Sequence, residues 1–182
     1  MNSKDRITRL IDALPANVYD FQLLVYDQSP ESFWKEGNKW YGRVLDWKWQ
    51  SKGEKTGFSL THKHLTPALL SPDKYSHVCI WDDDMQPVEG EFDGEILAQF
   101  AQSLDLKIFQ PMVRQNAHWQ QYEGIATFSR KASAQIHEVL NVEIQCACYS
   151  VEIYNNAIWP RILPDEPSGW GIDWVLHNFG KE

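Results

Sequence analysis

The chain has 182 residues, 43% hydrophobic and 13% aromatic, with nine tryptophans and nine prolines, enough apolar material for one compact soluble domain over 1–182. A formal charge of −8 with scattered Lys and Arg excludes the electrostatic footprint of a nucleic-acid binder. No apolar run approaches the ~20 residues of a membrane span, and the N-terminus leads into an amphipathic segment, not a signal-peptide core, so a cytoplasmic location is expected.

The first element is a helix over about 5–14, with Ile7, Leu10, Ile11 and Leu14 at helical spacing and Pro15 and Asn17 as its stop. Phe21 to Tyr26 reads as a buried strand ending at Asp27, and a loop with Pro30 and Gly37 follows. The next stretch is rich in tryptophan (Trp34, Trp40, Trp47, Trp49), with a short strand near Arg43, Val44 and Leu45. Thr56 is placed to cap a helix over about 57–70 that carries Phe58, Leu65 and Leu69 and closes at Ser71 and Pro72.

The strand His77-Val78-Cys79-Ile80 then runs straight into Trp81-Asp82-Asp83-Asp84-Met85. Adjacent carboxylates repel unless something positive neutralises them, and a divalent metal is the first candidate. In an extended chain Asp82 and Asp84 point one way and Asp83 the other, which makes an Asp-x-Asp pair. Such hard oxygen ligands suit Mg²⁺ or Mn²⁺, with water and a nucleotide diphosphate completing the shell. The alternative is a solvated turn that merely ends the strand.

Phe92, Ile96, Leu97, Phe100 and Leu104 form the apolar face of the next helix, and Lys107 to Gln110 a short strand stopped by Pro111. A polar, aromatic loop around His118, Trp119 and Tyr122 precedes a second segment near Gly124 to Arg130. Val142 to Cys148 alternates like a strand, and Ser150 is placed to cap a helix that Pro160 ends or bends. The last helix follows Gly169-Trp170-Gly171 and carries Ile172, Val175, Leu176 and Phe179, with Gly180 as its stop. Three cysteines, two of them only two residues apart, argue against a disulfide framework and lack a zinc-like spacing. Alternating strands and helices imply an α/β sheet, with the acids at a strand's carboxyl end, where such sheets hold ligands.

The order of segments resembles that of glycosyltransferase-A-like proteins, most closely the family known as domain of unknown function 707. Four stretches carry the resemblance: Phe21 to Asp27; Lys55 ahead of the helix ending Leu65-Thr66-Pro67; Tyr75 to Met85; and Gly169-Trp170-Gly171-Ile172-Asp173. Ile108 to Pro111 and Val142 to Ile144 fall in the family's order, so the similarity spans about Ala13 to Phe179. The chain lacks the family's additional first strand, which helps bind the nucleobase, and the C-terminal extension whose His-containing segment could complete the metal shell.

The resemblance implies a single-domain, nucleotide-diphospho-sugar transferase-like (GT-A, Rossmann-like) α/β fold, a mixed sheet flanked by helices. It implies a nucleotide-sugar donor, a saccharide-like acceptor, and Mn²⁺ or Mg²⁺ on Asp82 and Asp84, where the ion stabilises the diphosphate leaving group as a Lewis acid. Asp83 would touch ribose or hold the loop. Lys55 either contacts a phosphate or is a solvated loop lysine beside Glu54. Asp173 either takes the acceptor hydroxyl proton or only favours the helix macrodipole. Trp170 either stacks on the acceptor sugar or sits in the core, and Glu143 is either a second acid in the cleft or a sheet-edge residue. His62, His64 and His77 read as structural, whereas His177 shares a helical face with Asp173. A metal-dependent glycosyltransferase leads; a non-catalytic carbohydrate- or nucleotide-binding module of the same fold and a metal-dependent phosphohydrolase stay open.

Overall fold

Periodicity of apolar residues sets the first helix, and a proline with a guanidinium ends it. In the structure, a computed structural model that describes residues 3–25, 31–35, 41–49, 57–83, 85–88, 92–111, 142 and 144–163, α1 spans Ser3–Ala13. Ile11 and Leu14 are buried beneath it. Pro15 lacks the N–H that another turn requires. Arg43 donates to the carbonyl of Ile11 at 2.5 Å and to that of Leu14, placing a cation at the negative end of the helix.

β1 (Phe21–Val25) pairs in parallel with β2 (Val44–Trp49), with a register irregularity after Phe21. β2 is thus longer than the Arg43–Leu45 segment read from the sequence. The crossover between them carries α2 (Glu31–Lys35), whose Trp34 is buried with Ile11 and Val25 in a small core flanked by Ile7, Phe21, Leu23 and Val44. α3 spans Gly57–His64 and does not run to residue 70. Pro67 removes a donor and disfavours helical backbone at Thr66, so the chain leaves the helix and turns, with Leu70 N donating to Pro67 O at 3.2 Å.

β3 (His77–Cys79), β4 (Ile108–Phe109) and β5 (Cys148–Ser150) form an antiparallel sheet in the order β3-β5-β4. All three residues of the central strand are buried. The strand expected over Val142–Cys148 is instead a 3-10 turn at Ile144–Cys146 followed by β5. Which residues of a segment pair depends on the strands beside it, and periodicity along one segment cannot show that.

α4 (Gly94–Ser103) lies between β3 and β4 and starts at Asp93, whose carboxylate accepts from Glu95 N at 2.9 Å and Ile96 N at 3.0 Å. It ends in a reversed turn: Asp105 has a φ of 49° and Leu106 N reaches back to Ala101 O at 3.0 Å. After β5, Ser150 caps a continuous helical segment: α5 (Val151–Ile153), a π turn (Tyr154–Ile158) and a 3-10 turn (Trp159–Arg161) that contains Pro160. Tyr154, Ile158 and Ile162 join Leu70, Val78, Ala147, Tyr149 and Val151 in the larger core. The Tyr154 hydroxyl donates to Leu65 O at 2.9 Å, and burial pushes its pKa well above the usual phenol value.

The α1 side meets the rest at several points. The Tyr19 hydroxyl donates to Gly94 O at 2.8 Å, and burial, reinforced by the charge of Asp93, pushes its pKa up to about 12. Asp20 accepts from the Tyr75 hydroxyl at 2.7 Å and pairs with Lys74 at 3.1 Å. The hydrogen bond from Tyr75 is the main reason its pKa falls below the usual carboxylate value. The fold is mixed α/β with small sheets, the parallel and antiparallel pairings lying in separate sheets among the described residues. Among these residues no helix is long and apolar enough to cross a membrane.

Candidate functional site

The acidic run sits at the end of β3, and its first member is held by the sheet. The register of β3 on β5 pairs His77 with Ser150, Val78 with Tyr149 and Cys79 with Cys148. The same register continues past the strand, because Ile80 N donates to Ala147 O and Asp82 N to Gln145 O, both at 2.9 Å. Trp81, between them, packs edge-on against Phe92 with ring centroids 5.7 Å apart. The acids therefore emerge from a backbone ladder fixed on one side, and Asp82 is exposed at its tip.

At Asp82 the extended geometry stops. Its carbonyl accepts from Met85 N at 3.1 Å, closing a tight turn. The alternation that assigns Asp82 and Asp84 to one face presumes an extended chain, and that premise ends at Asp82. Asp84 itself lies outside the described residues, as do Lys55, Glu143, Trp170 and Asp173, the loop with His118 and Trp119, and the last helix with His177.

Asp83 faces a partner that the sequence did not reveal. Arg6, in the second turn of α1, donates through Nε to the main-chain carbonyl of Asp83 at 2.7 Å. The same guanidinium lies 3.9 Å from the Asp83 carboxylate, with the two side chains 24% and 40% exposed. The positive charge demanded by adjacent acids is thus supplied, for Asp83, by an arginine. Nothing in the helical spacing marks Arg6, a polar residue beside the buried face. The available cue was the charge demand of the triplet, which does not say where the cation comes from.

A divalent cation requires hard oxygen donors, and Asp82 fits as one protein ligand: a carboxylate, exposed, on a backbone anchored by the ladder. Asp83 is committed to the guanidinium. Among the described residues no three His, Cys, Asp or Glu side chains converge as a metal set.

The cysteines require a correction. Cys79 and Cys148, expected to stay unbridged, form a disulfide between β3 and β5, while Cys146 is a buried thiol. In the ladder this is a non-hydrogen-bonded antiparallel pair, the position where facing side chains come closest, and the two Cα atoms are 4.0 Å apart. Spacing along the chain hid the pairing because 69 residues separate the partners. The bridge lies three residues before Asp82 and stiffens the strand that carries it.

His77 and His62 have structural surroundings. His77 Nε2 donates to Leu106 O at 2.8 Å and ties β3 to the segment before β4. His62 stacks on Trp159, ring centroids 4.7 Å apart and nearly parallel, while Trp159 Nε1 donates to His62 O at 3.0 Å. Comparison of the chain with protein-family models, with curated proteins and with solved structures finds no match.

Proposed function

We propose that the chain is a metal-dependent glycosyltransferase of the glycosyltransferase-A-like class, akin to the domain of unknown function 707 family. It would form one Rossmann-like domain over its 182 residues and transfer a sugar from a nucleotide-sugar donor to a saccharide-like acceptor. The observation that best supports the reading is Asp82, an exposed carboxylate at the carboxyl end of a strand whose pairing runs up to that residue and then turns. β3 pairs antiparallel with β5, so the rule that places ligands at the carboxyl ends of parallel strands adds nothing here, and the reading rests on the exposed acid itself.

In this reading Asp82 and Asp84 hold Mn²⁺ or Mg²⁺, which when bound stabilises the charge unloaded onto the diphosphate. Asp83 and Lys55 lie on the nucleotide side. Asp173 accepts the proton of the acceptor hydroxyl, with Trp170 and Glu143 on the acceptor side. A cytoplasmic location goes with the reading as an expectation. The Cys79–Cys148 bridge weighs against it, since disulfides persist mainly in oxidising compartments.

The test is calorimetric titration of uridine and guanosine diphosphates with and without Mn²⁺, on the wild-type chain and on the Asp82→Ala/Asp84→Ala double variant. Metal-dependent binding that disappears in the variant is expected and would justify a screen of donor sugars. Absence of nucleotide binding under every condition would sink the transferase reading. Metal-dependent binding without turnover of any donor would turn it into a binding module, and phosphate release from simple esters into a phosphohydrolase.

A further inference from the structure

The ladder of β3 on β5 has two faces of different chemistry. Val78, Ala147, Tyr149 and Val151 belong to one and are buried in the larger core, with Ile80 packed against them. Alternation sends Cys79 and Cys148 to the other face, and neither joins that core. Cys146 goes with them. The hydrogen bonds from Ile80 N to Ala147 O and from Asp82 N to Gln145 O, both 2.9 Å, set it opposite Trp81 and two residues from Cys148. Cys146 and Cys148 are 1% and 0% exposed, yet both stand outside the larger core. All three cysteines of the chain therefore share one face of one ladder. His77 lies on the same face, but its Nδ1 meets Ser76 Oγ at 3.0 Å and its Nε2 meets Leu106 O at 2.8 Å, so both ring nitrogens are engaged.

We propose that Cys79, Cys146 and Cys148 form a three-thiolate site for Cu⁺ once the bridge is opened. With the bridge closed, no three His, Cys, Asp or Glu side chains converge as a metal set among the described residues, and two of the three sulfurs are bonded to each other. A dithiol opens it. One thiolate of the reductant attacks Sγ of Cys79, which is half-buried on an edge strand. The Cys79–Cys148 bond breaks, Cys148 leaves as the thiolate, and the second thiol of the reductant releases Cys79 and closes its own disulfide. Two electrons and two protons pass from the dithiol to the two cysteines. The cation then displaces the protons of the three thiols. A bare thiolate is costly to bury, and a bound cation removes that cost. Thiolates select Cu⁺ and Zn²⁺ over hard cations. Zn²⁺ takes four ligands, whereas three sulfurs satisfy Cu⁺, and the imidazole on this face is committed elsewhere.

The test is anaerobic competition for Cu⁺ against the chromophoric chelator bicinchoninate. The full chain is used oxidised and after reduction by a phosphine, which becomes its oxide and leaves no competing thiol. Reduced wild type is expected to take up one Cu⁺ per chain. Oxidised wild type, with one thiol, and reduced Cys146→Ala, with two, are each expected to bind at least about a hundredfold more weakly, the upper end of what losing even an indirect partner of a ligand costs. Cys146→Ala/Ala147→Cys restores the thiol count but puts the third sulfur on the core face, and is expected to bind no better than Cys146→Ala.

Near-ultraviolet circular dichroism checks that each form is folded. No uptake by reduced wild type, or equal uptake by the oxidised chain, by Cys146→Ala or by the double variant, overturns the proposal. If the reduced chain unfolds, refolding decides: Cu⁺ should restore the circular dichroism of wild type and not that of Cys146→Ala, and failure to restore it, or equal restoration of both, overturns the site. If the double variant does not fold, Cys146→Ala and the oxidised chain decide. Nucleotide enters none of these measurements, so the transferase reading stands or falls apart from them.

Discussion

The parallel pair β1–β2 and the antiparallel sheet β3-β5-β4 divide their supports differently. The parallel pair has the longer ladder, five paired residues with one register irregularity, but among the described residues the core beside it holds three buried side chains, Ile11, Val25 and Trp34, and β1 is mostly half-buried. The antiparallel sheet has strands of two or three residues, yet its central strand is fully buried, a disulfide joins two of its strands, and among the described residues it shares a core of eight buried residues. Ladder length is therefore a poor guide to where the stability lies, since area removed from water and a covalent link outweigh a few more backbone bonds whose net worth is small. The acid turn belongs to the covalently linked sheet, and its charge partner comes from the helix of the other.

Removing the bridge should disturb this contrast most. Reduction, or the Cys79→Ser/Cys148→Ser pair, opens a loop closed across 69 residues and should cost about 4 kcal/mol on a chain-entropy estimate. Urea unfolding followed by tryptophan fluorescence, with and without a dithiol, checks it; superimposable curves would mean that the bridge does not constrain the chain.

Truncation in the two cores sharpens the comparison. Ile158→Ala in the larger core should cost about 3 to 4 kcal/mol, because the surrounding side chains are held on every side. Ile11→Ala should cost about 2 kcal/mol, since the smaller core can relax around the gap. Equal losses in urea melts would show the two cores to be equally rigid.

The smallest effect is expected at Tyr154. Loss of its hydrogen bond to Leu65 in Tyr154→Phe should cost about 1 kcal/mol at neutral pH. Its folded pKa lies above the ordinary 10.0, so the stability that goes with the neutral phenol is complete below pH 10.0 and is lost as pH rises from there through the folded value. The variant should flatten that alkaline decline in part, leaving the contribution of Tyr19, whose pKa is also raised. Stability measured between pH 8 and 11 reads the difference, and identical slopes would reject the assignment.

Much of the fold was legible wherever a local rule decided it. The periodicity of Ile7, Leu10, Ile11 and Leu14, the stop at Pro15 and the cap at Ser150 all reappear in the structure. The 57–70 helix failed on a rule that was also local, the proline at 67, which was read as lying inside the element when it ended it. The misplacement of β5 and the missed Cys79–Cys148 bridge have another cause: both depend on which segments lie side by side, and a single sequence carries no register. The candidate site divides in the same way. Asp82 at a strand end could be read from an apolar run meeting acids, whereas Arg6 could not, because its contact with Asp83 joins residues 77 positions apart.

Gly94 gives α1 a mechanical role. A Cβ built there would lie 2.7 Å from Leu14 Cδ2, 3.1 Å from Ala13 O and 3.2 Å from Pro15 Cδ, so the start of α4 bears directly on the far end of α1. Near the other end, roughly 12 Å away at 1.5 Å per residue, Arg6 bears on the acid turn. The helix is thus a strut seated at two points, beside the links that Tyr19 makes to Gly94 and Asp20 makes to Tyr75 and Lys74. Any side chain larger than hydrogen at position 94 would act on a lever whose other arm ends at Asp83, so a change remote from the acids would be felt there as a tilt.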